Sequence, residues 1–345
     1  MPYKSSDKSK RSIGKAVEVG RNQDLRTVSG LTQVNRWVLI PLTATGGTTY
    51  EPGNGYKYHK FTYPNTDNFV VTEVGAGVVD LLVVAGGGSG GNYYGGGGGA
   101  GGVVHGVAVP ITAMTYPIAV GTGGAGVVGP AVGNPGTNSS IGAPGVAIGG
   151  QPDYILAKGG GGGGSPYNVA TGADGGSGGG DAGGNNPPFG GLATQPTTNP
   201  SPLITDHGYP GGWSYPVSGY GPSGGGGAGA QGVNTPGNDT GAGNGGTGVP
   251  ISGFEYPLFG LSPFEVFSPT NNHYGGGGAA GTFSTPVAPH RTTTGGVGGG
   301  GGAASPTLPG QNGLGGGGGG AHPPHMGVVN SGLGGQGIVV IRYTV

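Results

Sequence analysis

Few residues in this chain of 345 are equipped for chemistry. Its seven histidines are His59, His105, His207, His273, His290, His322 and His325. Two of them close His-Pro-Pro-His at 322–325, a spacing that could offer two imidazoles to a metal ion. Proline stiffens that stretch, and no Asp or Glu follows Glu265 to complete a ligand set, so an ordinary loop is the expectation. Asp206 beside His207 is an acid–base pair with no serine or cysteine nucleophile marked beside it. The carboxylates are too few and too scattered for hydrolysis by paired acids. LLVVAGGGSGG at 81–91 has the apolar run and glycines that open many dinucleotide-binding domains. That site needs a helix after the turn, with its N-terminal amides facing a pyrophosphate. Here NYYGGGGGAGG follows at 92–102, and glycine costs roughly 1 kcal/mol per position in a helix relative to alanine. No enzyme, no cofactor and no metal are expected.

Aromatic residues are better placed for binding. YPGGWSYPVSGY at 209–220 carries Tyr209, Trp213, Tyr215 and Tyr220. FEYPLFGLSPFEVF at 254–267 carries Phe254, Tyr256, Phe259, Phe264 and Phe267, and Tyr274 follows. Rings of this kind stack on sugars or fill pockets on a protein, and Tyr and Trp are enriched among binding hot spots. They are equally suited to capping a scaffold or filling a subunit interface, and the very apolar second stretch suits burial best.

The elements that must position these rings are unusual. The chain has 93 glycines and 30 prolines, yet only 8% charged residues, a net charge of −1 and 33% hydrophobic residues. Collagen would need a strict Gly-X-Y period, and these glycines come in blocks. Disorder goes with high charge and few apolar residues, which is not this balance. Without cysteine there is no disulfide framework and no thiolate metal site. No run approaches the roughly 20 apolar residues of a membrane helix, so no membrane span is expected. The basic N-terminus lacks the apolar core of a signal peptide.

Charge divides the chain. Lys4, Lys8, Lys10, Arg11, Lys15, Arg21, Arg26 and Arg36 crowd the first 36 residues, ahead of the WVLIPL run that begins at Trp37. With few aromatics to stack on bases, this arm reads as a docking arm on another protein, and no nucleic acid is expected. Residues 1–56 are thus an arm and anchor. Short runs rich in β-branched and aromatic residues follow at 57–63, 68–74, 78–85, 103–109 and 115–120, with 153–158 as a possible addition. QGIVVIRYTV at 336–345 is the strongest strand signal and needs partners, which places it back in the N-terminal sheet. Residues 57–158 and 336–345 therefore form one β domain, and 159–335 is an insertion.

That insertion alternates loops with glycine blocks at 159–164, 175–180, 224–230, 275–281, 295–303 and 315–320, and an earlier block lies at 95–102. Glycine can adopt the extended left-handed threefold helix at ~3.1 Å per residue, which makes no internal hydrogen bonds. Every N–H and C=O then needs a partner outside its own segment. Bare backbones can approach closely enough to supply one another. A bundle of such helices is expected, with the intervening loops gathered at its ends.

VVDLLVVAGGGSGG, GGGGGAGGVVHGVAV, YPIAVGTGGAG and the closing GLGGQGIVVIRYTV together resemble the glycine-rich domain of bacteriophage tail-fibre and virion proteins, from about residue 60 to 345. The resemblance implies a virion protein, a homotrimer in the manner of fibres, and the polyglycine-helix style in which some phage adhesins present receptor-binding loops. The expected fold is mainly β, a jelly-roll-like β-sandwich with an inserted bundle of polyglycine type II helices and negligible α-helix. The expected function is a tail fibre or adhesin whose partners are other virion proteins, through the arm, and a host glycan or outer-membrane protein. It would be made in the host cytoplasm and released by lysis. A capsid decoration protein without a receptor role is the alternative, and an ice- or surface-binding protein fits the bulky loops less well.

Overall fold

The computed structural model describes residues 41–75, 77–145, 148, 154–166, 171–182, 189–195, 201–214, 221–235, 241–261, 271–281, 293–303, 307–322 and 330–345. Its strands are β1 Thr43–Thr45, β2 Thr48–Tyr50, β3 Tyr56–Thr62, β4 Asn68–Glu73, β5 Val78–Val84, β6 Val103–Pro110, β7 Thr115–Ala119, β8 Ser139–Ile141, β9 Ile155–Ala157, β10 Ile204–His207, β11 Val249–Pro250, β12 His273–Tyr274 and β13 Ile338–Thr344. One 3-10 turn, Tyr256–Phe259, is the helical element among the described residues. The protein is mainly β.

Two antiparallel sheets face each other, one in the order β1-β4-β7-β8-β9 and the other β10-β6-β5-β13-β3-β2. Between them pack Phe69, Val71, Tyr116, Ile118 and Ile141 from the first and Phe61, Leu81, Val83, Val339 and Ile341 from the second. Strand side chains alternate faces, so the intervening residues point the other way. Tyr58, Leu82, Val84, Ile338 and Val340 form a second core with Ile251, Phe254, Tyr256, Phe259, Tyr274 and Leu314. Because both faces of the six-stranded sheet are covered, LLVV and IVVI are uninterrupted apolar runs instead of alternating ones. β13 lies between β3 and β5, with Val340 opposite both Lys60 and Leu82. The last strand thus closes the sheet, as its sequence predicts.

Other strands fall outside the ranges read from sequence. β1 and β2 lie within 1–56, and β2 extends the sheet beside β3. β10 lies within 159–335 yet pairs with β6, with Asp206 opposite Val104 and His207 opposite Val103. Four residues of ITDH carry too little alternation to announce a strand.

Where the strands end, the chain continues as extended glycine segments bonded to one another through the backbone. The segment 95–102 displays the rule. Gly95, Gly98 and Gly101 donate to Ala321, Gly318 and Gly315, and Gly96, Gly99 and Gly102 donate to Gly164, Gly161 and Lys158. Gly97 and Ala100 donate to Ser223 and Gly226. Successive N–H groups thus turn to three neighbours in rotation, which is the threefold period of the polyglycine type II helix. Its carbonyls accept from three more segments: Gly88 and Gly91 on one side, Ser177 and Gly180 on another, Gly278 and Gly281 on the third. One rod is therefore surrounded by six. The packing demands bare backbone: a Cβ built on Gly97 would land on the carbonyl oxygen of Gly278, and one on Gly98 on that of Gly88.

Candidate binding face at the far end of the glycine bundle

One end of the bundle is tied to the sheets. β5 runs on into 86–92, and β9 and β10 run on into the segments starting at Lys158 and Gly208. Segments 95–102 and 330–337 lead the other way, into β6 and β13. The opposite end is fixed by register. Gly91 donates to Gly96, Gly95 to Ala321, Gly164 to Gly180, Asp181 to Gly212, Ser223 to Asp181, Ala280 to Gly243 and Gly281 to Gly95. All these bonds lie at the last turn before the rods stop. The chain leaves the described rods there after 166, 182, 214, 235, 281, 303 and 322 and returns at 171, 189, 221, 241, 293, 307 and 330.

Polar side chains secure these exits. The buried Asp181 carboxylate accepts the Ser214 hydroxyl at 2.8 Å. Ser223 Oγ accepts the Asp181 amide at 2.8 Å and donates to the Gly212 carbonyl at 2.6 Å. Thr293 Oγ1 donates to the Ala280 carbonyl at 2.7 Å. Side-chain groups here supply bonds that a neighbouring rod supplies further in.

Two residues the sequence reading passed over stand at this end. Tyr93 and Tyr94 both have positive φ, 66° and 59°. That region is uncommon for residues other than glycine, and strained residues cluster at ligand clamps and active sites. Asn92 fixes the turn: its Oδ1 accepts the Tyr93 amide at 2.7 Å and its Nδ2 donates to the Val127 carbonyl at 2.9 Å. The two rings are half-buried and meet edge to face at 5.8 Å, and Tyr94 meets His322 at 5.4 Å. Positive φ at Tyr-Tyr has no signature in composition; a two-residue turn between two glycine blocks is the available signal.

The predicted aromatic set divides. Phe254, Tyr256, Phe259 and Tyr274 are fully buried in the second core, a correction to their reading as receptor-binding residues. Tyr274 donates to the Phe254 carbonyl, and burial raises its phenol well above the ordinary range. Tyr209 and Trp213 belong to the rod 208–214 on the bundle's flank, Tyr209 exposed and Trp213 half-buried. Tyr215, Tyr220, Phe264 and Phe267 lie outside the described residues, as do Lys4, Lys8, Lys10, Arg11, Lys15, Arg21, Arg26, Arg36 and Trp37.

Residues suspected of chemistry are separated. Asp206 and His207 are successive on β10, so their side chains leave opposite faces of the sheet. His322 is described and His325 is not. Among the described residues no group of three His, Cys, Asp or Glu could hold a metal ion, and no helix is long and apolar enough to cross a membrane. LLVVAGGGSGG leads from β5 into a rod, where Gly86, Gly87 and Gly88 donate to Thr137, Gly335 and Gly99. Its amides are used inside the protein.

A β-sandwich whose strands run on into backbone-bonded glycine rods defines a glycine-rich scaffold class. The family model described as a glycine-rich domain matches residues 64–344, and the chain belongs to that family. Among curated proteins, no relative matches it.

Proposed function

We propose that this chain is a bacteriophage virion protein, a tail fibre or adhesin that presents host-binding segments on a rigid glycine scaffold. The observation that carries this reading is the shared end: described rods stop in register with one another on the side away from the sheets, where Tyr93 and Tyr94 turn the chain. Rigid scaffolds bearing variable loops are a recurrent way to build binding sites. The resemblance of the strand and glycine motifs to phage virion proteins supplies the biological setting. In this reading the basic arm docks on the particle, the copies form a trimer, and the far end meets a host glycan or outer-membrane protein. Tyr93 and Tyr94 join Tyr215 and Tyr220 as binding residues, and the four buried rings drop out.

Immunogold microscopy of virions carrying this chain, with an antibody against residues 282–292, tests the reading. Gold at the tips of tail appendages is the expected result. Gold spread over the capsid would replace the adhesin with a decoration protein.

A further inference from the structure

The outer rods are not dressed alike. Segments 189–195, 208–214 and 230–235 lie side by side on one flank. The Gly211 amide donates to the Gly191 carbonyl at 2.9 Å, and those of Gly232 and Thr235 donate to Pro210 and Trp213 at 3.3 and 3.1 Å. Together they expose Phe189 (58%), Leu192 (63%), Tyr209 (46%) and Val233 (48%), with Trp213 half-buried. None of the residues in these three segments is charged. Charge appears at the border: the Asp174 carboxylate accepts the Leu192 amide and the Lys158 ammonium donates to the Thr194 carbonyl, each at 2.7 Å. An apolar, aromatic-bearing centre with a charged rim is how protein interfaces are composed.

The backbone adds an independent observation. In rod 189–195, Gly191 and Thr194 donate inward to Gly179 and Gly175, and Leu192 donates sideways to Asp174. The third direction of the threefold helix belongs to Gly190 and Ala193. Neither of these amides has a hydrogen-bond partner among the described residues. In rod 95–102, at the centre of the bundle, a neighbouring rod fills every such direction. An occupant able to fill it here must bring an extended backbone with little or no side chain, since rods meet carbonyl to Cα. The same flank of a second copy brings such a backbone at Gly190–Gly191, where the Gly190 carbonyl takes no bond from a described amide, and a net charge of −1 sets up little repulsion between copies.

We propose that this flank is an interface between copies of this chain, which join rod against rod and bury Phe189, Leu192, Tyr209 and Val233. The attachment reading takes a trimer from resemblance alone; this association has its own place and does not depend on a host. Sedimentation velocity of the full chain over a range of concentrations tests it without virion or receptor. The wild type should assemble reversibly, and Phe189→Lys with Leu192→Lys should weaken assembly about thirtyfold or more with the thermal midpoint unchanged. Val128→Lys, at an exposed position on the far end, should assemble as the wild type does. If the double lysine variant fails to fold, Val233→Glu on the neighbouring rod makes the same test. A wild type that stays a single chain at every concentration overturns the proposal, and so do flank variants that assemble normally.

Discussion

Arg342 borders the second core, on the sheet face it shares with Ile338 and Val340. Its guanidinium reaches the Asp80 carboxylate at 2.9 Å and the Gly253 carbonyl at 2.6 Å, between the rings of Tyr56 and Phe254. Removing one partner of a largely buried ion pair costs about 3–5 kcal/mol, because the other charge is stranded. Arg342→Met should lose that much in urea denaturation, and Asp80→Asn in the same background should recover part of it. His59 predicts a pH dependence. It is fully buried, with Nδ1–H donating to the Gly46 carbonyl at 2.8 Å and Nε2 at 3.2 Å from the Tyr343 hydroxyl. Burial lowers its pKa from 6.5, against a weaker raising effect of the Gly46 bond. The unfolded chain therefore takes up the proton more readily. Stability from His59 is intact above the ordinary imidazole range and is lost as pH falls below it; His59→Gln should flatten the fall in thermal midpoint between neutral and mildly acid pH. At Gly98, alanine would push its methyl into the Gly88 carbonyl, and the expected cost is ~1–3 kcal/mol by the same urea measurement.

At the scale of the element, a rod is specified by direction more than by side chains. Inserting one glycine between Gly97 and Gly98 would turn every later donor of 95–102 by a third of a turn, away from its acceptor. With each buried bond contributing ~0.5–1.5 kcal/mol net and an unmet group costing ~1–3, the variant should give little soluble folded protein. A thermal midpoint within a few degrees of wild type would sink this account of the bundle. The sequence made the elements unequally visible. β3, β4, β5, β6, β7 and β13 are dense in Val, Ile, Phe and Tyr and declare themselves, and six consecutive glycines can scarcely be anything but a rod. β8 and β10 are too short to carry a pattern, and their strand state comes from the neighbours they bond, Ser140 opposite Ala119 and Thr205 opposite His105. That FEYPLF at 254–259 suits burial was legible, but what would cover it was not. Its rings are buried because Leu82, Val84 and Val340 present a second apolar face, and that face exists only once β5 and β13 are paired. Tyr93 and Tyr94 were hidden for the converse reason, since a backbone angle leaves no trace in residue type.

For the molecule as a whole, the sheets and the rods form one hydrogen-bonded body, because strands continue into rods without a break. Amides of 95–102 should therefore exchange as slowly as those of β5 and β13, opening only on global unfolding, while Gly53 and Gly55 in the loop before β3 should exchange at once. Exchange mass spectrometry checks this, and fast exchange in 95–102 beside a protected β13 would mean the two parts unfold separately. The six-neighbour packing has a further consequence, for how such a protein can vary. At most of the inner glycines any side chain, a methyl included, meets a carbonyl oxygen, so those positions have almost no neutral alternative to glycine. A stretch joining two rods at the far end meets no such limit: doubling its length costs only ~0.6 kcal/mol of closure entropy. Heritable change is thus channelled by geometry into the segments at one end, while the rods beneath them stay written in almost a single letter.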